Sequence, residues 1–436
     1  MRPTERPFPS LLAISLIVAP VFFLSLPGCQ PKPEGPLMEA LPAPDYDRQL
    51  PPGRLALRKI TDPRQIPDFT SACTDTNNLR QAIANSLHYL AKPSSQAAFP
   101  YGQITHAHAM ASLEAFMNLL DAGMTPRQTN AEIRKRFDVY TSIGWNGMGE
   151  VLFTGYYTPI FDASPTPIAK FRYPLYKPPA DLVKTPDGTV LGRRTAEGQF
   201  TPLPTRQLIE QSNLYRGSEL YWLADEFEVY IAHVQGSAKL RLSDGRLVTV
   251  GYAANNGKEY HSIAKELVKD GKIPAERLSL RAMIDYFKAH PDEVSKYTWR
   301  NPRFVFFAQE GDGPFGSINE PVTLMRTIAT DKAIYPRACL AFISTPLPRQ
   351  SAGGIVIKPY GGFVLDQDTG GAIRAPGRCD IYMGVGDQAG ELAGRTQQPG
   401  RLYYLFLKPG LMSQSKPPTN APAEHAPATP AQNTGN

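Results

Sequence analysis

Apolar residues recur at helical spacing through the early part of the chain. Leu79, Ile83, Leu87 and Leu90 form one stripe after Asn77, a residue type that starts helices, and Met110, Leu113, Phe116 and Leu120 repeat it up to Gly123. Residues 125–137 predict a third helix with Pro126 in its first turn. The pattern then changes. Residues 150–157 and 227–234 are aromatic, β-branched or alternating enough to predict strands. Residues 239–242 and 247–252 predict a hairpin, because the Asp244-Gly245 pair between them suits its turn. Helices are predicted over 262–270 and over 279–290, the second ending before Pro291. Beyond Arg303 the apolar runs are short: 304–307, 324–328, 340–343, 355–357, 363–365, 381–385 and 402–407. Many short strands separated by turn residues predict a barrel or a sandwich. No internal period is present, which excludes a repeat protein.

Length makes two domains the natural expectation, since 436 residues with 42% hydrophobic content exceed one typical domain. A net charge of +6 suits an anionic partner, and the absence of a Lys/Arg run argues against nucleic acid. The N-terminus has the make-up of an export signal: Arg2 and Arg6, an apolar run over 11–26 broken by Pro20, then Leu26-Pro27-Gly28-Cys29. It resembles a bacterial lipoprotein signal of residues 1–28, cleaved so that Cys29 carries lipid. Pro27 stands where such signals have a small residue, and an uncleaved anchor is the alternative. Gln30 after the cysteine, in place of an aspartate, favours the periplasmic face of the outer membrane. Residues 31–52 contain seven prolines, so 29–54 is expected to be an extended linker. Residues 412–436, rich in Pro, Ala, Thr and Asn, are expected to be a disordered tail.

Three cysteines remain, Cys73, Cys339 and Cys379. In an oxidising compartment either a Cys339–Cys379 bridge or buried free thiols is compatible with an odd count. There is no Cys-x-x-Cys and no His-Glu-x-x-His, and His106 and His108 project from different faces of a helix, so neither a metal nor a cofactor is expected. Ser262-Ile263-Ala264-Lys265 fits Ser-x-x-Lys without its companion motifs and reads as helix interior. Gly384-x-Gly386-x-x-x-Gly390 lacks a surrounding βαβ unit, which argues against dinucleotide binding.

The informative chemistry lies near the C-terminus. Gln367-Asp368-Thr369-Gly370-Gly371, Arg378-Cys379-Asp380-Ile381-Tyr382 and Gly384-Val385-Gly386-Asp387 set three aspartates in Gly-rich frames. Carboxyls so placed around short strands can converge on one cleft, and a carboxyl in a cleft is the usual tool for breaking a glycosidic bond. Aspartate is also a common turn former, and Asp368 and Asp387 admit that structural reading.

Residues 367–401 resemble the C-terminal aspartate-rich 3D domain of the membrane-bound lytic murein transglycosylase A family. Gly155-Tyr156-Tyr157-Thr158-Pro159, His233-Val234-Gln235-Gly236-Ser237 and the segment from Trp299 to Phe307 resemble that family's other signature segments. The resemblance covers about residues 140–408. It implies a mainly β fold with accessory helices: a double-psi β-barrel (55–158 and 305–411, with the 3D motif at 360–408) and a smaller inserted β domain (159–304), with a groove between them. It implies that peptidoglycan glycan strands bind in that groove. It implies cleavage between N-acetylmuramic acid and N-acetylglucosamine with a 1,6-anhydro end. Asp380 matches the family's catalytic acid, and Asp368 and Asp387 match its supporting acids. Tyr156, Tyr157, Thr158, Gln235, Gly236 and Ser237 are the expected substrate contacts. Three rivals remain at this level: an ordinary two-carboxylate hydrolase, a glycan-binding module without catalysis, and an interaction scaffold at the outer membrane.

Overall fold

The computed structural model describes residues 43–414 except 186–189, 196, 213 and 312. A short strand, β1 (Leu57–Lys59), precedes three helices, α1 (Leu79–Ala91), α2 (His106–Asp121) and α3 (Pro126–Arg136), and the strands β2 (Phe137–Ser142) and β3 (Glu150–Thr158). Local chemistry starts these helices. Thr105 accepts the His108 N–H, and Thr125 and Gln128 form a reciprocal capping box with Pro126 in the first turn of α3. The start of α1 differs from expectation. Asn78, not Asn77, occupies the cap in a left-handed conformation with φ 59° and no side-chain cap bond. Tertiary packing fixes this end instead: Arg326, almost fully buried, donates to the carbonyls of Asp75, Asn77 and Phe363.

After β3 come β4 (Ile160–Ser164), β5 (Tyr173–Tyr176), β6 (Leu182–Lys184), β7 (Val190–Arg194) and β8 (Phe200–Thr201). Then follow α4 (Arg206–Gln211), β9 (Glu219–Leu223), α5 (Glu226–Gln235), β10 (Ser237–Arg241), β11 (Leu247–Asn255), α6 (Ile263–Lys269), α7 (Leu280–Ala289), α8 (Val294–Thr298) and β12 (Val305–Glu310). The remaining elements are β13 (Thr327–Ala329), β14 (Leu340–Ser351), β15 (Gly354–Asp368), β16 (Arg378–Val385), α9 (Asp387–Arg395) and β17 (Gln397–Leu407).

Six strands close into a double-psi β-barrel in the order β17-β14-β15-β13-β16-β3, because β3 pairs back onto β17. Strands β2 and β1 extend the sheet from β17. The pairs β13–β15 and β16–β3 are parallel and the others antiparallel. Alternation sorts the faces. Val151 and Phe153 of β3 and Cys379, Ile381 and Met383 of β16 pack into the main core, leaving Thr154, Tyr156 and Asp380 on the other face. Helix α9 lies so close to β3 that a Cβ on Gly155 would sit 2.6 Å from Ala393 Cα, so only glycine fits there.

The chain between β3 and β13 builds a second sheet in the order β12-β11-β10-β4-β9-β5, with the three-stranded β6-β7-β8 beside it. Its own core gathers Phe227, Tyr230, Phe287, Tyr297 and Phe307. Residues 227–234, expected to be a strand, form α5. The Asp225 carboxylate accepts from the N–H groups of Phe227 and Glu228 to start it, and Gly236 at φ 78° ends it. Phe227 and the run from Val229 to His233 are all buried, so the helix has little polar stripe to reveal its period. The runs 355–357 and 363–365 belong to one long strand, β15, paired with β14 along its length. The polypeptide is docked ahead of residue 55: Tyr46 donates to Glu150 at 2.8 Å, and Asp47 pairs with Arg378 at 2.9 Å and Lys265 at 3.3 Å.

The Cys339–Cys379 bridge left open by the sequence is not formed. Both thiols are free and buried, and β15 and β13 separate β16, which carries Cys379, from β14, which follows Cys339. Cys339 Sγ donates to the Arg337 carbonyl instead. Among the described residues no helix is long and apolar enough to cross a membrane. Cys29 lies outside the described residues.

Candidate active site

Strand β13 is three residues long, and its last, Ala329, sets the site. Ala329 pairs with Asp368 of β15 on one side and Asp380 of β16 on the other, and Asp380 pairs in turn with Thr154 of β3. Opposed residues on neighbouring strands share a face at about 4.8 Å per strand. Asp368 and Asp380 therefore flank a methyl group, with their Cα atoms about 10 Å apart by that spacing. Two residues on, Tyr382 pairs with Tyr156, and their rings lie 5.2 Å apart.

The two acids have different surroundings. Asp368 accepts three hydrogen bonds, from Tyr156 Oη at 2.8 Å, the Thr369 N–H at 2.8 Å and the Ser317 N–H at 2.9 Å. Asp380 accepts one, from Thr154 Oγ1 to its Oδ1. Its Oδ2 takes no hydrogen bond among the described residues. Both side chains are half-buried. Burial raises the pKa of Asp380, opposed by the charge of Arg378 and the Thr154 hydrogen bond. Burial also raises that of Asp368, opposed by its three donors and by Lys332. Burial thus gives both carboxyls a reason to hold a proton, but Asp380 has an oxygen without a donor and Asp368 has both oxygens engaged.

The third acid stands apart. Asp387 is exposed at the first residue of α9, outside the row of paired strands. It lies close enough to Tyr157 to contribute, after burial, to the rise of that phenol to about 12. Tyr157 belongs to the main core, whereas Tyr156 faces the acids and holds Asp368.

The remaining expected contacts join the barrel to the inserted sheet. Gln235 Oε1 accepts the Tyr157 N–H at 3.1 Å, and Thr158 Oγ1 lies 3.3 Å from Ser237 Oγ and 3.0 Å from Tyr382 Oη. Thr158 and Ser237 bond one another, Gln235 holds the Tyr157 backbone, and Gly236 is the helix end that turns Ser237 toward Thr158.

Two participants escaped the sequence reading. Thr154 has no signature of its own, being two residues ahead of Tyr156 on the same face. Glu310 ends β12 with its side chain over Gly251, where a Cβ would fall 2.0 Å from Oε1. Its Oε2 is buried without a partner among the described residues, and burial, with the Asp368 charge a lesser cause, raises its pKa to about 6. An acid at the end of an apolar strand was the only signal available.

Residues 152–308 match the family described as the MltA specific insert domain, and residues 326–406 match the 3D domain. Membrane-bound lytic murein transglycosylase A of Escherichia coli (strain K12) is 31% identical over 279 residues, covering 63% of this chain and 70% of that protein. The chain belongs to the MltA family. The crystal structure of a membrane-bound lytic murein transglycosylase from Agrobacterium tumefaciens aligns with a TM-score of 0.67 at 27% identity, covering 83% of this chain and all of that one. That of E. coli MltA with bound chitohexaose aligns with a TM-score of 0.61 at 25% identity, covering 84% of this chain and 98% of the other. The MltA insert match begins inside β3 and contributes Thr154 and Tyr156, while the 3D match contributes Asp368 and Asp380. The acid row therefore exists only where the two matched regions pair.

Proposed function

We propose that this chain is a lytic transglycosylase that cleaves the β-1,4 bond between N-acetylmuramic acid and N-acetylglucosamine in peptidoglycan, with Asp380 acting first as acid and then as base. The observation that carries this assignment is the contrast in hydrogen bonding between the two carboxyls: burial raises the pKa of both, but Asp380 keeps one oxygen without a donor, whereas both oxygens of Asp368 are engaged. Asp380 gives its proton to the glycosidic oxygen as the C1–O bond breaks. The C6 hydroxyl of the same muramoyl residue then bonds to C1, and its proton passes to Asp380, which restores the acid. Because the nucleophile is tethered, no second carboxylate is needed to activate water. Asp368 and Tyr156 position the wall beside Asp380, and Asp387 shapes the start of α9. The glycan strand would run between the barrel, 55–158 with 305–411, and the insert, 159–304. Lipid on Cys29 would hold the body at the periplasmic face of the outer membrane, spaced by the segment after it.

Mass analysis of the released muropeptides tests this reading. Anhydro ends are the expected products. Products heavier by one water would overturn it in favour of a two-carboxylate hydrolase.

The pH profile supplies a second prediction. The first step needs a protonated Asp380, so kcat/KM falls as pH rises through its raised pKa. The Thr154 hydrogen bond favours the charged form. Thr154→Val is therefore expected to move the descending limb to higher pH, and a limb that stays in place or moves to lower pH would contradict the assignment.

A further inference from the structure

Two arginines flank the turn between Asp368 and Asp380, and among the described residues neither has an ion-pair partner. Arg303 leaves the insert just ahead of β12, and its guanidinium lies over the turn that joins Asp368 to Asp380. A Cβ on Gly371 in that turn would sit 3.0 Å from Arg303 Nε and 3.4 Å from its Cζ. The turn is closed by the Ile373 N–H on the Gly370 carbonyl at 3.2 Å, and Arg374 follows it, exposed. Among the described residues neither guanidinium makes an ion pair. The only side-chain hydrogen bond of Arg303 there goes to the Lys258 carbonyl at 3.1 Å. Burial lowers the pKa of Arg303, with Tyr252 opposing and the like charge of Arg374 acting in the same direction as burial. Other arginines nearby are neutralised: Arg378 pairs with Asp47, and Arg300 with Glu266 and Asp270. Asp331 lines the same hollow as Arg374, but among the described residues the two form no ion pair.

Arg303 is held in place from behind. Arg206, 1% exposed, donates to the Arg303 carbonyl at 2.9 Å, and Asn301 Oδ1 accepts the Arg303 N–H at 3.2 Å. A buried network thus presents one cation from the insert toward a second cation from the barrel. Like charges gathered without compensation favour an anion between them, and guanidinium forks match carboxylates in geometry.

We propose that Arg303 and Arg374 form a carboxylate subsite that draws anionic peptidoglycan into the groove in preference to neutral glycan. This rests on the peptidoglycan reading given above. The carboxylate has two sources: the stem peptide on the muramoyl lactyl group, or the lactyl group itself once the stem is removed. Arg374 stands six residues ahead of Asp380, on the segment that leads from this turn into β16.

The test compares full-length wild type, Arg303→Met, Arg374→Gln and the double variant on three ligands. These are peptide-bearing glycan strands, strands stripped of stems by an amidase, and neutral chitohexaose. The double variant is expected to raise KM for peptide-bearing strands about tenfold, with kcat within about twofold, as charge-assisted contacts of this kind imply. Its Kd for chitohexaose is expected to stay within about twofold, and the difference on charged strands should shrink as salt is added. A loss confined to peptide-bearing strands assigns the subsite to stem carboxylates, and a loss confined to stripped strands assigns it to the freed lactyl carboxylate. Unchanged KM on both charged ligands, or an equal loss of chitohexaose binding, would overturn the proposal. Affinities measured on an Asp380→Asn background separate the two readings, because a wild type that fails to cleave leaves the carboxylate preference readable from Kd. Arg374→Gln, at an exposed position, keeps the test open if Arg303→Met does not fold.

Discussion

Asp380→Asn is expected to lower release of anhydromuropeptides by about a thousandfold, within the range that a positioned general acid contributes. Asparagine is nearly isosteric and still accepts the Thr154 hydrogen bond, so the row of paired strands stays intact. It has no proton to give. Binding of chitohexaose should survive, which separates loss of chemistry from loss of the groove. The same variant should also be more stable. The folded pKa of Asp380 is raised by burial, so its favourable contribution is full below the ordinary aspartate value and is lost as pH rises through the folded value. Above its folded pKa the wild type therefore carries a half-buried charge that the amide removes. A melting temperature higher by about 1–3 °C on that side of the transition, closing toward wild type as pH falls below about 4, is the expected signature. Normal cleavage by Asp380→Asn would refute the assignment outright.

Arg206→Met is expected to cost about 3 kcal/mol of stability, the lower end of what breaking a buried charge network costs. Arg206 sits between the rings of Tyr230 and Phe304, at 4.9 and 5.3 Å from their centroids. It also donates to Glu210 at 2.8 Å, His233 Nδ1 at 3.0 Å and the Arg303 carbonyl. Burial, then the Arg206 charge, push the His233 imidazole well below its usual range, so it accepts here as the neutral ring. Methionine keeps much of the bulk but none of the donors. Urea denaturation would read the loss, and amide exchange should quicken around residues 301–305. Stability equal to wild type would mean that packing alone holds this segment.

Much of this architecture was legible because period and turn chemistry agreed. Thr125, Pro126 and Gln128 announce α3, and Asp244-Gly245 announces the hairpin of β10 and β11. The failures share a cause. Helix α5 is wrapped by apolar neighbours, so its sequence lacks the polar stripe by which a helix is recognised. Strand β13 is too short to carry a period, and β15 alternates only along part of its length. At the site, Asp368 and Asp380 stood out through their glycine frames. Local pattern could not say that one would be saturated by donors and the other left with a free oxygen, because two of Asp368's three donors come from Tyr156 and Ser317, distant in sequence. Asp387 looked equal to its neighbours in sequence and lies outside the row. Gln235 and Ser237 had the right chemistry for sugars, yet they join the two sheets. Arg303 gave no local sign of its role and Glu310 only its place at the end of an apolar strand, since their surroundings are set by residues distant in sequence.

The acid and the threonine beside it are 226 residues apart in the chain, yet adjacent in register. All of the chain between them, including the whole second sheet, must be synthesised before β16 can lie along β3. Pairing across such a separation is slow to form and absent from any partial chain. The protein is thereby its own safety catch. A nascent, truncated or half-folded copy holds its aspartate in the wrong company, and the ability to cut a wall arises only with the last strands of the fold.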